Sequence, residues 1–376
     1  MKITRIDTRP LRIPYKEPFH WAQGVIDAAE VILVSVHTDE GVVGFGECMS
    51  SASAAAIQLL LKEAERVCLG KSPFEITQLT RGVYQRLFAA RGNCSAPRFG
   101  ALVLAGLDMA LWDLAAKASG RAVHEMLGGA VRDWIQYFGF PQGDTPEEVA
   151  AQARLWAESG CDVIYVKVGR GAEVDLEIAR QVRAAIGNRR LRLDANEAWD
   201  LLSADRMIRA LSQFDLEFVE QPTRSDSLAA LAQIRMKSPV AIAADQLVFT
   251  PEDVFAVCSQ RAADLIVLGI HECGGVGRFK AAASIAEAAG INICLHGLYE
   301  TGITTCLGNQ VGATLSNLDD GNQYMNHFLT YDIIQTPSLK LNKGRLPVLG
   351  GPGLGFEIDW DAVARAEEAY RCVNGL

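Results

Sequence analysis

The chain has 376 residues, 49% of them apolar, with a formal net charge of −9 and a mean hydropathy of +0.10. That acidic balance argues against a basic nucleic-acid-binding face, and no run of the text reads as long enough to span a membrane. The N-terminal MKITRIDTRPLRIPY has no apolar core of a signal peptide, and nine scattered cysteines, none in a CxxC pair, read as reduced thiols, so a cytoplasmic protein is expected.

Residues Lys2 to Gly46 alternate as strands do, in "VILVSVHTDEGVVGFGE" for example, and a turn at Asp39-Glu40-Gly41 predicts an antiparallel hairpin or meander. Apolar residues at helical spacing then predict helices over Ala54–Leu69, Pro73–Leu87 and Ala101–Ala118, the last ending on a Gly stop. Strands followed by helices make an α+β unit, residues 1–128.

From Trp134 the text becomes periodic. Strand-like segments centre near Tyr137, Tyr165, Arg192, Phe218, Ile242, Ile266 and Ile293, with amphipathic helices such as "PEEVAAQARLWAESG" and "GRFKAAASIAEAAG" between them. A strand and a helix recurring at that interval make a βα unit. Seven units and an eighth strand around Gln323 predict a closed α/β barrel of TIM type over residues 129–340. An open doubly wound sheet is the alternative, but no GxGxxG follows a strand. The Gly-rich tail, residues 341–376, is expected to pack back on the first unit.

Active sites of such barrels lie at the C-terminal ends of the strands. The third strand ends at Asp194 in "RLDANEAW", the fourth at Glu220 in "FVEQP" and the fifth at Asp245 in "AADQ". Singly, each acid reads as a salt bridge or a helix cap. Three in phase, one per βα unit, would repel one another unless a cation met them, and an all-oxygen set favours Mg²⁺, with Mn²⁺ possible.

The preceding strand, "VIYVKVGRG", ends at Lys167, where a neighbouring cation would favour the neutral amine of a general base. A bridge to Asp194 or Glu220 is the plain alternative, and a Schiff base with a carbonyl substrate another. The seventh strand, "INICLHG", ends at His296, across the pore from Lys167, which makes it a second candidate acid or base.

In this order the residues resemble the enolase superfamily, and within it the mandelate racemase and muconate-lactonizing enzyme group. The likeness runs from "DEGVVGFGE" through "GLDMALWDLAAKASG" and "VHEMLGG" to "RLDANEAW", "FVEQP", "AADQ", "ECGGVGR" and "GGPGLGFEID". It implies an α+β capping domain over a modified (β/α)₇β TIM barrel, with Mg²⁺ on Asp194, Glu220 and Asp245. It also implies abstraction of the proton α to a carboxylate through a metal-stabilised enediolate. A small-molecule carboxylate substrate and a homo-oligomer, dimer or octamer, come with it.

The departures bear on the reaction. Tyr165 stands where the family commonly has the first Lys of Lys-x-Lys. Gly269 falls where one branch has a second Lys and the other an Asp that pairs with the strand-seven His. His271 is the nearby substitute for that partner, although the Gly-Gly turn after it argues against the geometry. Gln246 follows Asp245 where Glu is common, and Gln323 stands near the usual eighth-strand Glu. With Tyr165, Asn196 and Glu300, these residues are candidates to support the ligands or touch substrate.

Substrate choice is expected from the loops "EPFHWAQG", with Phe19, His20 and Trp21, and "CMSSASA", with Met49. Their aromatic and neutral character fits a small, partly apolar acid, although packing between domains would use the same residues. An isomerase (racemase, epimerase or cycloisomerase) is expected ahead of a dehydratase of a hydroxy acid. A non-catalytic carboxylate-binding barrel is the rival from another class.

Overall fold

The structure is a computed structural model, which describes residues 1–50, 53–90, 93–94 and 97–375. The first three strands, β1 (Ile3–Trp21), β2 (Gly24–Thr38) and β3 (Val43–Met49), form the expected antiparallel meander in the order β1-β2-β3. Helices α1 (Ala54–Cys68), α2 (Ile76–Leu87) and α3 (Pro97–Ala118) follow. Helix α3 lies directly on β3 because Gly44 and Gly46 present no side chain there. A Cβ at either would sit 2.2–2.3 Å from the carbonyl oxygens of Ala110 and Gly106.

One expectation is corrected here. Arg98–Ala118 is 21 residues long with a hydropathy of 1.6, long and apolar enough by composition to cross a membrane. It is instead a core helix, with 83% of its most apolar window buried between the meander, the other helices and the barrel.

After the short α4 (Val123–Met126) and β4 (Trp134–Gln136), six parallel strands alternate with helices. They are β5 (Val163–Lys167), β6 (Arg190–Asp194), β7 (Leu216–Glu220), β8 (Ala241–Ala244), β9 (Leu265–Leu268) and β10 (Asn292–Leu295), hydrogen-bonded in that order. Helices α5 (Pro146–Glu158), α6 (Ala172–Ile186), α7 (Leu201–Leu211), α8 (Leu228–Lys237) and α9 (Pro251–Gln260) connect the first five of these strands and lead into them. The one-turn α10 (Ile270–Cys273) and α11 (Val276–Ala288) lead to β10, and α12 (Gly302–Gly312) follows it.

The ring closes through two short segments. Gly139 bridges Ile164 of β5, Tyr137 bridges Asn322, and Leu318 bridges Ile293 of β10. The first and eighth barrel positions are thus single bridges, where the sequence reading has strands centred on Tyr137 and near Gln323. Beneath the ring Arg192 of β6 is fully buried, donates to the carbonyls of Asp320 and Gly321, pairs with Glu217 and Asp319, and lies 4.6 Å from the ring centroid of Phe218. It plugs the N-terminal end, so the open end is the rim of strand C-termini.

The tail adds β11 (Ile334–Thr336), β12 (Arg345–Pro347), β13 (Glu357–Ile358) and α13 (Trp360–Asn374). Strand β12 pairs with β4, the Leu354 amide donates to Asp113 of α3, and Glu367 of α13 meets Arg9 of β1 at 3.1 Å.

Candidate active site at the barrel mouth

Strand register brings the first three predicted residues side by side. Lys167 pairs with Asp194 across β5 and β6, and Asp194 with Glu220 across β6 and β7. Asp245 comes two residues beyond Ala243, the partner of Glu220. Because the loop after β8 turns inward, oxygens of Asp194, Glu220 and Asp245 still lie within 4.8 Å of one another.

All three acids are fully buried. Asp194 Oδ2 accepts from Lys167 Nζ and from the Tyr165 hydroxyl, both at 2.5 Å, and Oδ1 accepts from the Asn196 amide at 2.8 Å. The Tyr165 hydroxyl is also 2.7 Å from Glu220 Oε1. Lys167 therefore makes the bridge to Asp194 that was the plain alternative, and Tyr165 joins two of the acids.

Both carboxylate oxygens of Asp245 and Oε2 of Glu220 are buried without a hydrogen-bond partner. Orphaned acceptors of that kind cost several kcal/mol unless something positive meets them. Burial, reinforced by Asp194 and Asp245, holds Glu220 well above the usual carboxylate range. Burial likewise pushes Asp245 up to about 7, with Glu272 and Asp194 adding to it and His296 and Lys167 opposing. A hard divalent cation would satisfy these oxygens together, so the donor set fits the metal that the sequence leads one to expect.

His296 ends β10 on the other side of the trio. Its Nδ1 lies 3.0 Å from Glu272 Oε1 and 3.3 Å from Asp245 Oδ1. Burial opposes the charged ring, but Asp245 and Glu272 outweigh it and raise His296 to about 10. Glu272 therefore meets the ring that Gly269 leaves without its usual strand-end Asp. His271 is not the substitute, because its Nε2 meets Thr304 Oγ1 at 2.8 Å and burial lowers it to about 4.

Of the remaining candidates, Asn196 has φ of +41° and a buried Oδ1 without a partner, a strained backbone at the β6 rim. Gln246 Oε1 is likewise buried and unpartnered. Glu300 is buried, accepts from the Leu298 amide and is held well above its usual range by burial. Gln323 donates to Met325 Sδ at 3.1 Å.

Phe19 faces Lys167, its ring centroid 5.9 Å from Nζ; Phe140 and Tyr165 stand at 5.7 and 5.4 Å. Tyr299 lies edge-on to Phe19, at 6.4 Å. His20 turns aside to Asp144 at 3.2 Å, and Trp21 packs on the core at the hairpin tip. Met49 and Tyr299 line a groove of about 690 Å³ with Ile26, Asp27, Glu30 and Ser50, which takes in none of the acid trio, Lys167 or His296. Of the segment Cys48–Ala54, Ser51 and Ala52 lie outside the described residues.

Glu272, Gln221 and Phe140 are absent from the sequence reading. Gln221 has φ of +31°, and its Oε1 accepts from the amides of Asp245 and Leu247, which ties the end of β7 to that of β8. The available signal was its place beside Glu220 in "FVEQP".

Comparison with known proteins agrees with this geometry. The family described as "Enolase C-terminal domain-like" matches residues 148–362, and "Mandelate racemase / muconate lactonizing enzyme, N-terminal domain" matches residues 4–128. The chain is 30% identical to an L-Ala-D/L-Glu epimerase of Bacillus subtilis (strain 168) over 95% of this chain and 97% of that one. It is also 30% identical to a muconate cycloisomerase 1 of Rhodococcus opacus, over 96% and 98%. A solved dipeptide epimerase from Enterococcus faecalis V583, complexed with Mg and the dipeptide L-Leu-L-Tyr, superposes with a TM-score of 0.87 at 26% identity, covering 95% of this chain and all of that one.

Proposed function

This chain belongs to the mandelate racemase and muconate-lactonizing enzyme group of the enolase superfamily, and we propose that it is a Mg²⁺-dependent racemase or epimerase of a small, partly apolar carboxylic acid. One observation carries the choice: Lys167 and His296 flank the acid trio from different strands, each with its own carboxylate contact.

Asp194, Glu220 and Asp245 would hold the ion, and Mn²⁺ would suit the same oxygens. When bound, the dication supplies fixed positive charge that acidifies the C–H beside a substrate carboxylate and favours the neutral amine at Lys167. Lys167 then takes the α-proton on one face and becomes ammonium. The His296 imidazolium delivers a proton to the opposite face and becomes neutral imidazole, so the configuration inverts and the proton count is unchanged. Phe19 and Phe140 shield the amine and favour an apolar group on the substrate beside it.

The charge that Asp245 and Glu272 support on His296 also favours a second reading, in which the ring protonates a leaving β-hydroxyl and the reaction is a dehydration. The relatives' cycloisomerase activity would need Lys167 alone. We further propose a homo-oligomer, dimer or octamer, which light scattering tests.

The deciding experiment incubates the protein with Mg²⁺ in D₂O and both enantiomers of N-acyl amino acids, dipeptides and hydroxy acids. Deuterium should enter the α-position of both enantiomers. Lys167→Ala should abolish exchange from one and His296→Ala from the other. Loss of both in the Lys variant alone would mean a single base. Loss of water would mean a dehydratase, and binding without exchange would mean a non-catalytic barrel.

A further inference from the structure

Strand β9 ends at Leu268, and the residue after it, Gly269, carries no side chain to offer the mouth. The space is nevertheless filled by a carboxylate. Glu272, three residues on and at the first turn of α10, folds back so that Oε2 accepts from the Gly269 amide at 2.8 Å. Its Oε1 stands 3.0 Å from His296 Nδ1. A Cβ at position 269 would meet Glu272 Oε2 at 2.6 Å, Cδ at 3.1 Å and Cγ at 3.2 Å. Gly269 and Glu272 are thus the N-cap and third residue of a capping box, and a side chain at 269 would press the Glu272 carboxylate to shift.

We propose that Glu272 is the positioning residue for His296, its carboxylate standing in for one that Gly269 cannot supply at the strand end. This rests on the two-base reading above.

The geometry gives Glu272 two roles. A carboxylate can only accept, so Oε1 requires the hydrogen on Nδ1 and leaves Nε2 as the nitrogen that exchanges protons with substrate. Nε2 makes no hydrogen bond within the described residues. The second oxygen, tied to a backbone amide, keeps the carboxylate from rotating away. Asp245 does not serve in its place. It is the more distant neighbour of Nδ1, and its oxygens belong to the trio that would hold the cation. Glu272 is buried, so its bond to the ring is little weakened by water.

Two readouts test this. In ¹⁵N-histidine NMR, with His296 assigned by its loss in His296→Ala, the wild type should show a protonated Nδ1 and Glu272→Gln should lose that signature. This holds whether or not any substrate is turned over, so it can fail or succeed apart from the proposed function. In the exchange assay, Glu272→Gln should lower kcat for the His296-dependent enantiomer by about 10²–10⁴-fold, as loss of a histidine-orienting carboxylate does elsewhere. KM should stay nearly constant, and the Lys167-dependent enantiomer should change only a few-fold.

Gly269→Asp with Glu272→Ala should recover at least tenfold over Glu272→Ala alone. That rescue distinguishes orientation from bulk packing. Three outcomes would overturn the assignment: a neutral His296 protonated on Nε2 in the wild type, equal loss for both enantiomers in Glu272→Gln, or two Mn²⁺ bound per chain with one lost in Glu272→Gln, which would make Glu272 a ligand.

Discussion

Titrating Mg²⁺ into the metal-free protein at several pH values tests the acid trio without any substrate. Asp245, pushed up to about 7 by burial, must lose its proton before it can ligate, so each pH unit below 7 should weaken apparent affinity by about tenfold. Glu220, shifted in the same direction, steepens the dependence. The sign for stability follows from the same groups. Between about pH 4 and 7 the folded metal-free chain keeps protons that the unfolded chain has released, so its stability falls as pH rises through that window. Mg²⁺ at a hundred times its Kd adds about 2.7 kcal/mol. An unfolding entropy of about 2.1 cal/mol/K per residue, or about 0.8 kcal/mol/K for a chain of this length, turns that into a Tm rise of about 3–4 °C. Calorimetry and thermal melts at pH 5.5, 7 and 8 should show the rise growing with pH, and Asp245→Asn should abolish most of it. A response that is flat with pH, or equal in Asp245→Asn, would refute the idea that these oxygens await a cation.

Three further outcomes are expected. Tyr165→Phe removes the hydroxyl shared by Asp194 and Glu220, so it should cost about 1–2 kcal/mol in EDTA and less in Mg²⁺, as urea melts will show. Asp108, pushed up to about 7 by burial beneath the Val276 amide, should cost the folded chain up to about 4 kcal/mol as pH rises from about 4 to above 7. Asp108→Asn should flatten that slope and be more stable than wild type at pH 8 but not at pH 4. Glu47→Ala strands the Thr301 amide and hydroxyl and the Thr304 amide, which Glu47 binds at 2.8–3.1 Å. It should therefore cost roughly 2–4 kcal/mol in denaturant melts and raise KM by loosening the capping domain over the mouth.

The residues that could be read from the text are those whose position depends only on the period of the fold. Asp194, Glu220 and Lys167 each close a strand, one per βα unit, so counting units brings them together. Asp245 was legible for the same reason, although its register lies two residues further on and needs the inward turn after β8. Barrel closure was harder to see, because Tyr137–Gly139 and Leu318–Asn322 contribute single bridges with no run of alternation behind them. The length and apolarity of helix α3 were underread, and composition alone does not tell what covers such a helix. Glu272 was invisible for a geometric reason. In "GIHECGG" it reads as an ordinary acid in the first turn of a helix, and only the fold-back onto Gly269 aims it at a histidine from another strand.

The substitutions at positions 165 and 269 each change what the strand end itself offers the mouth. Tyr165 brings its hydroxyl to Asp194 Oδ2 and Glu220 Oε1 at 2.5 and 2.7 Å, a neutral donor where a lysine would set a second ammonium beside Lys167. Gly269 offers no carboxylate, and Glu272 reaches His296 from three residues further on. Lys167 and His296 thus each keep a carboxylate contact, while both oxygens of Asp245 and Oε2 of Glu220 stay without a hydrogen-bond partner, the acceptors that a divalent cation would satisfy.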